Sequence, residues 1–446
     1  MSRNSQDGLE WEERVIGLVP RWTKEPSIEA IEHVCRQQLV IPPAESCTVS
    51  LRTEDAMHKL YSVSGAGRSL LIKVVLPVYP HFKTRGEVAT LQWVRGYTNI
   101  PVPTVVAFDD SNNNQIGFEW ILMEMMPGIP ARQRWRTLAM ESKIALVQRL
   151  ADFQAELSRG ARGGKSDDAF KNIGTLDLEA EGALATVVPG RLVTDELYMR
   201  NRLSYDVPRG PYRSSHDWLH ANLRLIILEK AAIIKQGNHD DASSEAASDA
   251  EDAEEVQEAA QRLLSLLPNI FPPTQEDAVA TALYHNGLTL SNILLNEQGE
   301  ITTLLDWEGV SAMPTWMATI PPRFLSGQIR EDEPIKDEYM NEETGAEASD
   351  EHNDPDKLDD EGKNELYWIH RMEYETTQLR NIYRVRMRQL WPDWPEEENY
   401  RKVDFFEAFL QCNTEVFIKQ VSQWVDRLEK GDSVRWSDMF ETEFGV

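Results

Sequence analysis

The spacing of apolar residues divides this chain into a strand-rich front and a helical back. Ser27 precedes Ile28, Ile31, Val34 and Cys35, a spacing that predicts a short amphipathic helix. Short β-prone runs follow. Lys59-Leu60-Tyr61-Ser62-Val63 and Ser69-Leu70-Leu71-Ile72-Lys73-Val74 flank Gly65-Ala66-Gly67, a hairpin signal. Thr84 to Tyr97 reads as a helix. Phe118 to Met125 reads as a buried strand, broken by Met126-Pro127-Gly128. Ser142 to Ser158 is a strongly periodic helix, and residues 215–234 and 255–267 are expected to be helical. Leu366–Leu390 and Phe405–Leu428 read as long helices, separated by Trp391-Pro392-Asp393-Trp394-Pro395. The expected fold class is α+β and bilobal, with a strand-rich N-lobe, a helical C-lobe and a cleft between them. The expected division is a helical extension over 1–44, an N-lobe over 45–126 and a C-lobe over 127–446.

Composition changes this picture in one respect. The 446 residues carry a formal net charge of −28, most of it in two tracts. Residues 238–258 hold nine acids and no Lys or Arg. Residues 331–365 hold sixteen acids against Lys336, Lys357 and Lys363, so only −6 is left for the rest. Both tracts are expected to be solvated, unstructured insertions in the C-lobe. The acidity argues against nucleic acid as a partner, since binding there needs clustered Lys and Arg. Cys35, Cys47 and Cys412 show no metal-ligand spacing, which suits a reducing compartment. The start has no apolar signal region, and no apolar run approaches the roughly 20 residues of a membrane-spanning helix. The expectation is a cytoplasmic protein, with the nucleus open as well and no membrane partner.

The chemistry concentrates near residue 290. Ile293-Leu294-Leu295 and Ile301-Thr302-Thr303-Leu304-Leu305 are β-prone runs around a turn at Asn296-Glu297-Gln298-Gly299. An antiparallel hairpin brings the start of its first strand beside the end of its second. Asn292 and Asp306 flank those two points and would emerge side by side. Two oxygens facing one point, completed by phosphates and waters, can hold Mg²⁺. An ordinary hairpin with a polar residue at each end has the same pattern.

The run Tyr284-His285-Asn286-Gly287-Leu288-Thr289-Leu290-Ser291-Asn292, then Leu304-Leu305-Asp306-Trp307-Glu308, has the frame of a kinase catalytic loop followed by a metal-binding Asp. It resembles the aminoglycoside phosphotransferase and choline-kinase-like family, particularly its fungal members. Gly299, Ile301, Ser311 to Trp316 and Pro322-Arg323-Phe324-Leu325 extend the likeness downstream. Ile100-Pro101-Val102-Pro103 and Asn114 to Glu124 extend it upstream, for coverage of roughly 45 to 330. The resemblance implies a protein-kinase-like fold, a nucleotide cleft for ATP and Mg²⁺, and small hydroxylated acceptors. It implies that Lys73 contacts the α- and β-phosphates and pairs with Glu87. Read alone, Lys73 is an exposed strand lysine, and Thr84-Arg85-Gly86-Glu87 is a capping box. It further implies that the Glu124 carbonyl and Met126 amide bind adenine, and that Asn292 and Asp306 hold the metal.

Two positions depart from the family. Gly287 stands where the catalytic Asp belongs, and glycine cannot accept the proton of an attacking hydroxyl. The phosphate-covering loop should fall near Leu51 to His58. It has no glycine to let backbone amides approach phosphate, and carries Glu54 and Asp55 instead. Asn286 has no useful pKa, His285 is a frame residue, and Asp217 starts a helix, so no substitute base is evident. Three readings follow: a degenerate, nucleotide-binding or regulatory module; an active small-molecule O-phosphotransferase with an atypical base; or an interaction protein with a collapsed cleft and a protein partner.

Overall fold

The structure, a computed structural model, describes residues 6–14, 17–158, 170–179, 187–237, 244–273, 280–336, 339, 365–392, 394 and 400–440. The front of the chain opens with an antiparallel hairpin, β1 (Leu9–Arg14) and β2 (Gly17–Trp22). Helix α1 (Ile28–Gln38) follows, capped by Ser27, whose hydroxyl accepts from the Ala30 amide at 3.2 Å. The first 44 residues therefore hold a sheet as well as the expected helix. The Trp22 ring explains the hairpin: it packs 4.9 Å from Phe118, and such an aromatic anchor leaves no periodic signal.

Five antiparallel strands form the front sheet in the order β3-β4-β5-β7-β6. They are β3 (Cys47–Glu54), β4 (His58–Gly65), β5 (Arg68–Val75), β6 (Val105–Asp109) and β7 (Glu119–Glu124). Tyr61, Val63, Leu70, Ile72 and Val74 alternate into its core. Between β5 and β6 lies α2 (Phe82–Tyr97), which buries Val88, Leu91 and Val94. In β7 every residue from Glu119 to Met123 is buried, as expected of a strand covered on both faces.

Behind the front sheet come β8 (Ile129–Pro130), α3 (Ala131–Arg134) and α4 (Met140–Leu157). The strands β9 (Gly174–Leu178) and β10 (Val187–Pro189) and the short α5 (Asp195–Tyr198) lead into α6 (Ser215–Gly237) and α7 (Ser244–Ile270). Next are β11 (Thr281–Tyr284), β12 (Ile293–Leu295), β13 (Ile301–Leu304) and β14 (Ser311–Pro314). The chain closes with α8 (Glu365–Leu390), α9 (Tyr400–Thr414) and α10 (Ile418–Glu429). One core joins α2 to α4, α8 and the β12–β13 hairpin, so the lobes meet through packed side chains. A second core lies among α6, α7, α9 and α10. The result is the expected α+β arrangement of strand-rich front and helical back.

Two expectations change. Residues 244–258 are not an unstructured tract but the first half of α7. Ala250, Ala253, Val256, Ala260, Leu263 and Leu267 recur every three or four residues and are buried. The acids occupy the outer face, so high charge density coexists with a packed stripe. Residues 238–243 lie outside the described residues, as do 340–364 of the second tract. Of that second tract, Glu333 pairs with Arg371 of α8. The helix expected over 405–428 is two helices. Glu415 and Phe417 adopt φ of +63° and +54°, which ends α9. The Glu415 carboxylate is held there by Arg200 at 2.8 Å and Lys230 at 2.7 Å.

Candidate functional site

The β12–β13 hairpin delivers Asn292 and Asp306 to one point. Asn292 Nδ2 donates to Asp306 Oδ2 at 3.1 Å and to the Gly287 carbonyl at 2.7 Å. The Leu305 amide donates to the Asn292 carbonyl at 2.8 Å, which pins the two strand ends together. Asp306 has φ of +63°, which turns its carboxylate out of the strand line toward the cleft. Burial raises its pKa, and Lys73 opposes that shift. His285 Nε2 donates to the Leu305 carbonyl at 3.0 Å. Burial lowers the pKa of His285 to about 4, so it is a neutral brace for the loop.

Gly287 lies against this pair. A Cβ there would sit 3.1 Å from Asp306 Oδ2 and 3.9 Å from Asn292 Nδ2. Its backbone is outside the left-handed region, so glycine is not required by φ.

Lys73 reaches the cleft from β5. Its ammonium donates to Glu87 of α2 at 2.8 Å and to Glu308 at 2.9 Å. The pairing takes Glu87 away from the capping-box role that Thr84 suggested. Burial opposes the charge on Lys73, but Glu308, Glu87 and Asp306 outweigh it and raise the pKa. Glu124 ends β7 opposite Leu70, and its carboxylate accepts from the Thr104 hydroxyl at 2.8 Å. Met126 follows, half-buried. Between β7 and the loop of residues 286–292 lies a cavity of about 560 Å³ whose apolar lining includes Leu60, Leu71, Pro103 and Met123. Its polar lining includes Lys73, Asn292 and Asp306.

The loop without glycine has its own closure. Asp55 Oδ1 accepts from the amides of Met57 and His58, both at 2.7 Å. Burial pushes the Asp55 pKa up, but the contacts from His58 and these amides bring it down to about 2. Glu54 turns to Lys59 at 2.6 Å. Neither carboxylate is therefore an unpaired charge in the cleft.

Sequence reasoning missed what surrounds Glu308. Its Oε2 lies 2.6 Å from His58 Nε2, and its Oε1 lies 2.7 Å from the Lys83 ammonium. Burial would raise its pKa, but His58, Lys73 and Lys83 drive it well below the carboxylate range. These partners come from β4, β5 and α2, separated by up to 250 positions from Glu308, so no local pattern links them. The only sequence signal was the Glu that trails Asp306-Trp307.

A second cavity, of about 450 Å³, adjoins the first and shares Thr194, Asn286, Gly309 and Arg323 with it. Trp218, Tyr284, Met313, Met317 and Phe406 give it apolar walls. Its two carboxyl groups, Glu196 and Glu407, are both shifted upward by burial. Among the described residues no group of three or more His, Cys, Asp or Glu forms a metal cage. The donors at the cleft floor suit instead an ion that shares its shell with phosphate and water. Among the described residues no helix is long and apolar enough to cross a membrane.

The sequence model of the phosphotransferase enzyme family matches residues 49–317, more than half of the chain. A subtelomeric hrmA-associated cluster protein of Aspergillus fumigatus is 26% identical over 294 residues, covering 58% of this chain and 56% of that protein. Altered inheritance of mitochondria protein 9 of Saccharomyces cerevisiae is 21% identical over 349 residues, covering 69% of this chain and 55% of that protein. The chain thus spans about half the length of these relatives. Among solved structures, a putative aminoglycoside phosphotransferase of Ralstonia eutropha is similar at 13% identity, covering 93% of this chain and 94% of its own, with a TM-score of 0.41. A thermostable mutant of aminoglycoside phosphotransferase APH(4)-Ia, in ternary complex with AMP-PNP and hygromycin B, is similar at 11% identity. It covers 94% of this chain and 99% of its own, with a TM-score of 0.43.

Proposed function

The chain belongs to the phosphotransferase enzyme family, and on that premise we propose that it is a degenerate member. It binds a nucleotide with Mg²⁺ in the interlobe cleft, lacks a catalytic base, and acts as a binding or regulatory module. The observation that carries this reading is Gly287. It sits within reach of Asp306 and Asn292, yet offers no proton acceptor to a hydroxyl nucleophile. The rest of the site supports occupancy. The apolar residues Leu60, Leu71, Pro103 and Met123 suit adenine and Lys73 suits the α- and β-phosphates; the Glu124 carbonyl and Met126 amide, just beyond Met123, are the groups that would hydrogen-bond the base. Asp306 and the Asn292 side-chain oxygen would hold Mg²⁺, which would neutralise charge on the transferring phosphoryl group. Positioning and charge stabilisation carry much of phosphoryl transfer, so a slow residual reaction is compatible with this site.

A second reading is an active O-phosphotransferase with an atypical base. Glu196 favours it, because it lines the cavity that adjoins the one holding Gly287. In either reading that cavity suits a small, largely apolar hydroxylated molecule. A protein partner belongs to the regulatory reading. The cytoplasmic placement is also part of this proposal. The relative from Saccharomyces cerevisiae is named for mitochondria, and cell fractionation of the full chain decides between the compartments.

The testing experiment is a thermal-shift titration with ATP and Mg²⁺ on wild type and Lys73→Met. A concentration-dependent rise in melting temperature for wild type, diminished in the variant, is expected. No shift for wild type at millimolar MgATP would overturn the nucleotide-binding reading.

A further inference from the structure

Neither Lys83 nor the His58 side chain has a role in the family plan that the sequence suggested, yet both contact Glu308, which lines the cleft. Lys83 opens α2 and is 2% exposed. Its ammonium lies 2.7 Å from Glu308 Oε1 and 2.7 Å from His58 Nε2. His58 carries a carboxylate at each ring nitrogen: Asp55 at 3.2 Å on Nδ1 and Glu308 at 2.6 Å on Nε2. The Asp55 turn that replaces the glycine loop fixes the His58 backbone and hence this ring. Lys73 adds the third contact to the same carboxylate.

A single carboxylate needs one cationic partner, and Lys73 already has its own in Glu87. His58 likewise has Asp55, so Glu308 takes Lys83 as its own partner and in addition draws in two nitrogens that already have a carboxylate each. Glu308 Oε2 is within hydrogen-bond distance of the very ammonium assigned to phosphate. His58 and Lys73 line the cavity, whereas Lys83 lies behind Glu308 and is shielded by it.

We infer that Lys83, His58 and Lys73 form a phosphate subsite that replaces the missing glycine-loop amides, and that the Glu308 carboxylate competes with phosphate for these nitrogens. A polyphosphate enters by displacing Glu308, which uncovers Lys83. The chemistry explains how a loop without glycine serves a phosphate site: charged side chains donate where backbone amides otherwise would. This inference rests on the nucleotide-binding reading only for the identity of the polyphosphate, since inorganic tripolyphosphate presents the same oxygens.

The test is calorimetric titration of tripolyphosphate, and separately MgATP, into wild type, Lys83→Met, His58→Gln, Glu308→Gln and the double variant Lys83→Met/Glu308→Gln. Losing one charge-assisted hydrogen bond costs roughly 10- to 100-fold in affinity. Lys83→Met and His58→Gln should each weaken tripolyphosphate by about that factor. Glu308→Gln should tighten it by about tenfold or more, because the competing charge is gone. The double variant removes one charge of each sign, so it keeps the buried balance and guards against loss of fold. It should lose the gain of Glu308→Gln. Unchanged affinity in folded Lys83→Met and His58→Gln overturns the inference. So does tripolyphosphate silence in both wild type and Glu308→Gln. Tripolyphosphate binding with the expected pattern but no MgATP binding supports the inference and overturns the nucleotide-binding reading instead.

Discussion

Replacing Gly287 by aspartate restores the missing carboxylate, and the structure sets both its benefit and its cost. The backbone at Gly287 accepts an L-residue, and the new Cβ would meet Asp306 Oδ2 at 3.1 Å. That contact requires a shift of a few tenths of an ångström, which the Asp306 carboxylate can make. Charge is the larger effect. Two carboxylates about 4 Å apart at an effective dielectric near 20 repel by about 4 kcal/mol, an upper bound for this half-open site. Gly287→Asp should therefore melt earlier than wild type at neutral pH without metal. Mg²⁺ should restore much of the loss, because a divalent ion between the carboxylates removes the repulsion. So should mild acid, which protonates one of the pair. If the base is the missing element, ADP release with a hydroxylated acceptor should rise by about 10²–10⁴-fold. The assays are melting curves with and without Mg²⁺ at several pH values, and coupled ADP detection. A loss of stability that ignores both Mg²⁺ and pH would refute the electrostatic account. A folded, MgATP-binding variant without any gain in turnover would refute the missing-base account.

Other expectations follow from buried groups. Glu119 is 1% exposed, and burial raises its pKa from 4.5 to about 7. Its favourable neutral form is complete below pH 4.5 and lost as pH rises toward 7, a swing of roughly 3 kcal/mol. Glu119→Gln should flatten melting temperature against pH in that window; an unchanged profile would count against it. Leu263→Ala in the fully buried stripe of α7 should cost about 2–5 kcal/mol in urea unfolding. A cost below about 0.5 kcal/mol, the usual size for surface changes, would mean that α7 is not packed as described. The Asp55 turn contributes above the unfolded carboxylate pKa and fades as pH falls through about 2. At its exposed position Asp55→Ala should cost only about 1 kcal/mol, while weakening tripolyphosphate through the freed His58.

The parts of this fold that were legible in the sequence are those written locally. The turn Asn296 to Gly299 and its flanking β-branched residues announced the hairpin, and a hairpin's geometry alone juxtaposes Asn292 and Asp306. The Lys73–Glu87 pair was not legible that way, since a capping box fits Glu87 equally well; the family frame pointed to it, and the 2.8 Å contact is what separates the alternatives. The second half of α7 was expected over 255–267, but its first half was misread because nine acids dominate the composition of 238–258, while the Ala-rich inner stripe carries little hydropathy. The break at Glu415 to Phe417 depends on distant Arg200 and Lys230. The Glu308 cluster is wholly non-local, and the adjoining cavity draws Trp218, Tyr284, Met313 and Phe406 from separate elements.

The most direct test of the central claim is ADP release from MgATP by the wild-type chain, measured with a panel of small hydroxylated compounds. A chain that binds nucleotide but has glycine at 287 should release ADP at or barely above the uncatalysed background with every acceptor. Robust turnover that Asp306→Asn abolishes would contradict the claim and make this an active phosphotransferase whose base lies elsewhere in the cleft.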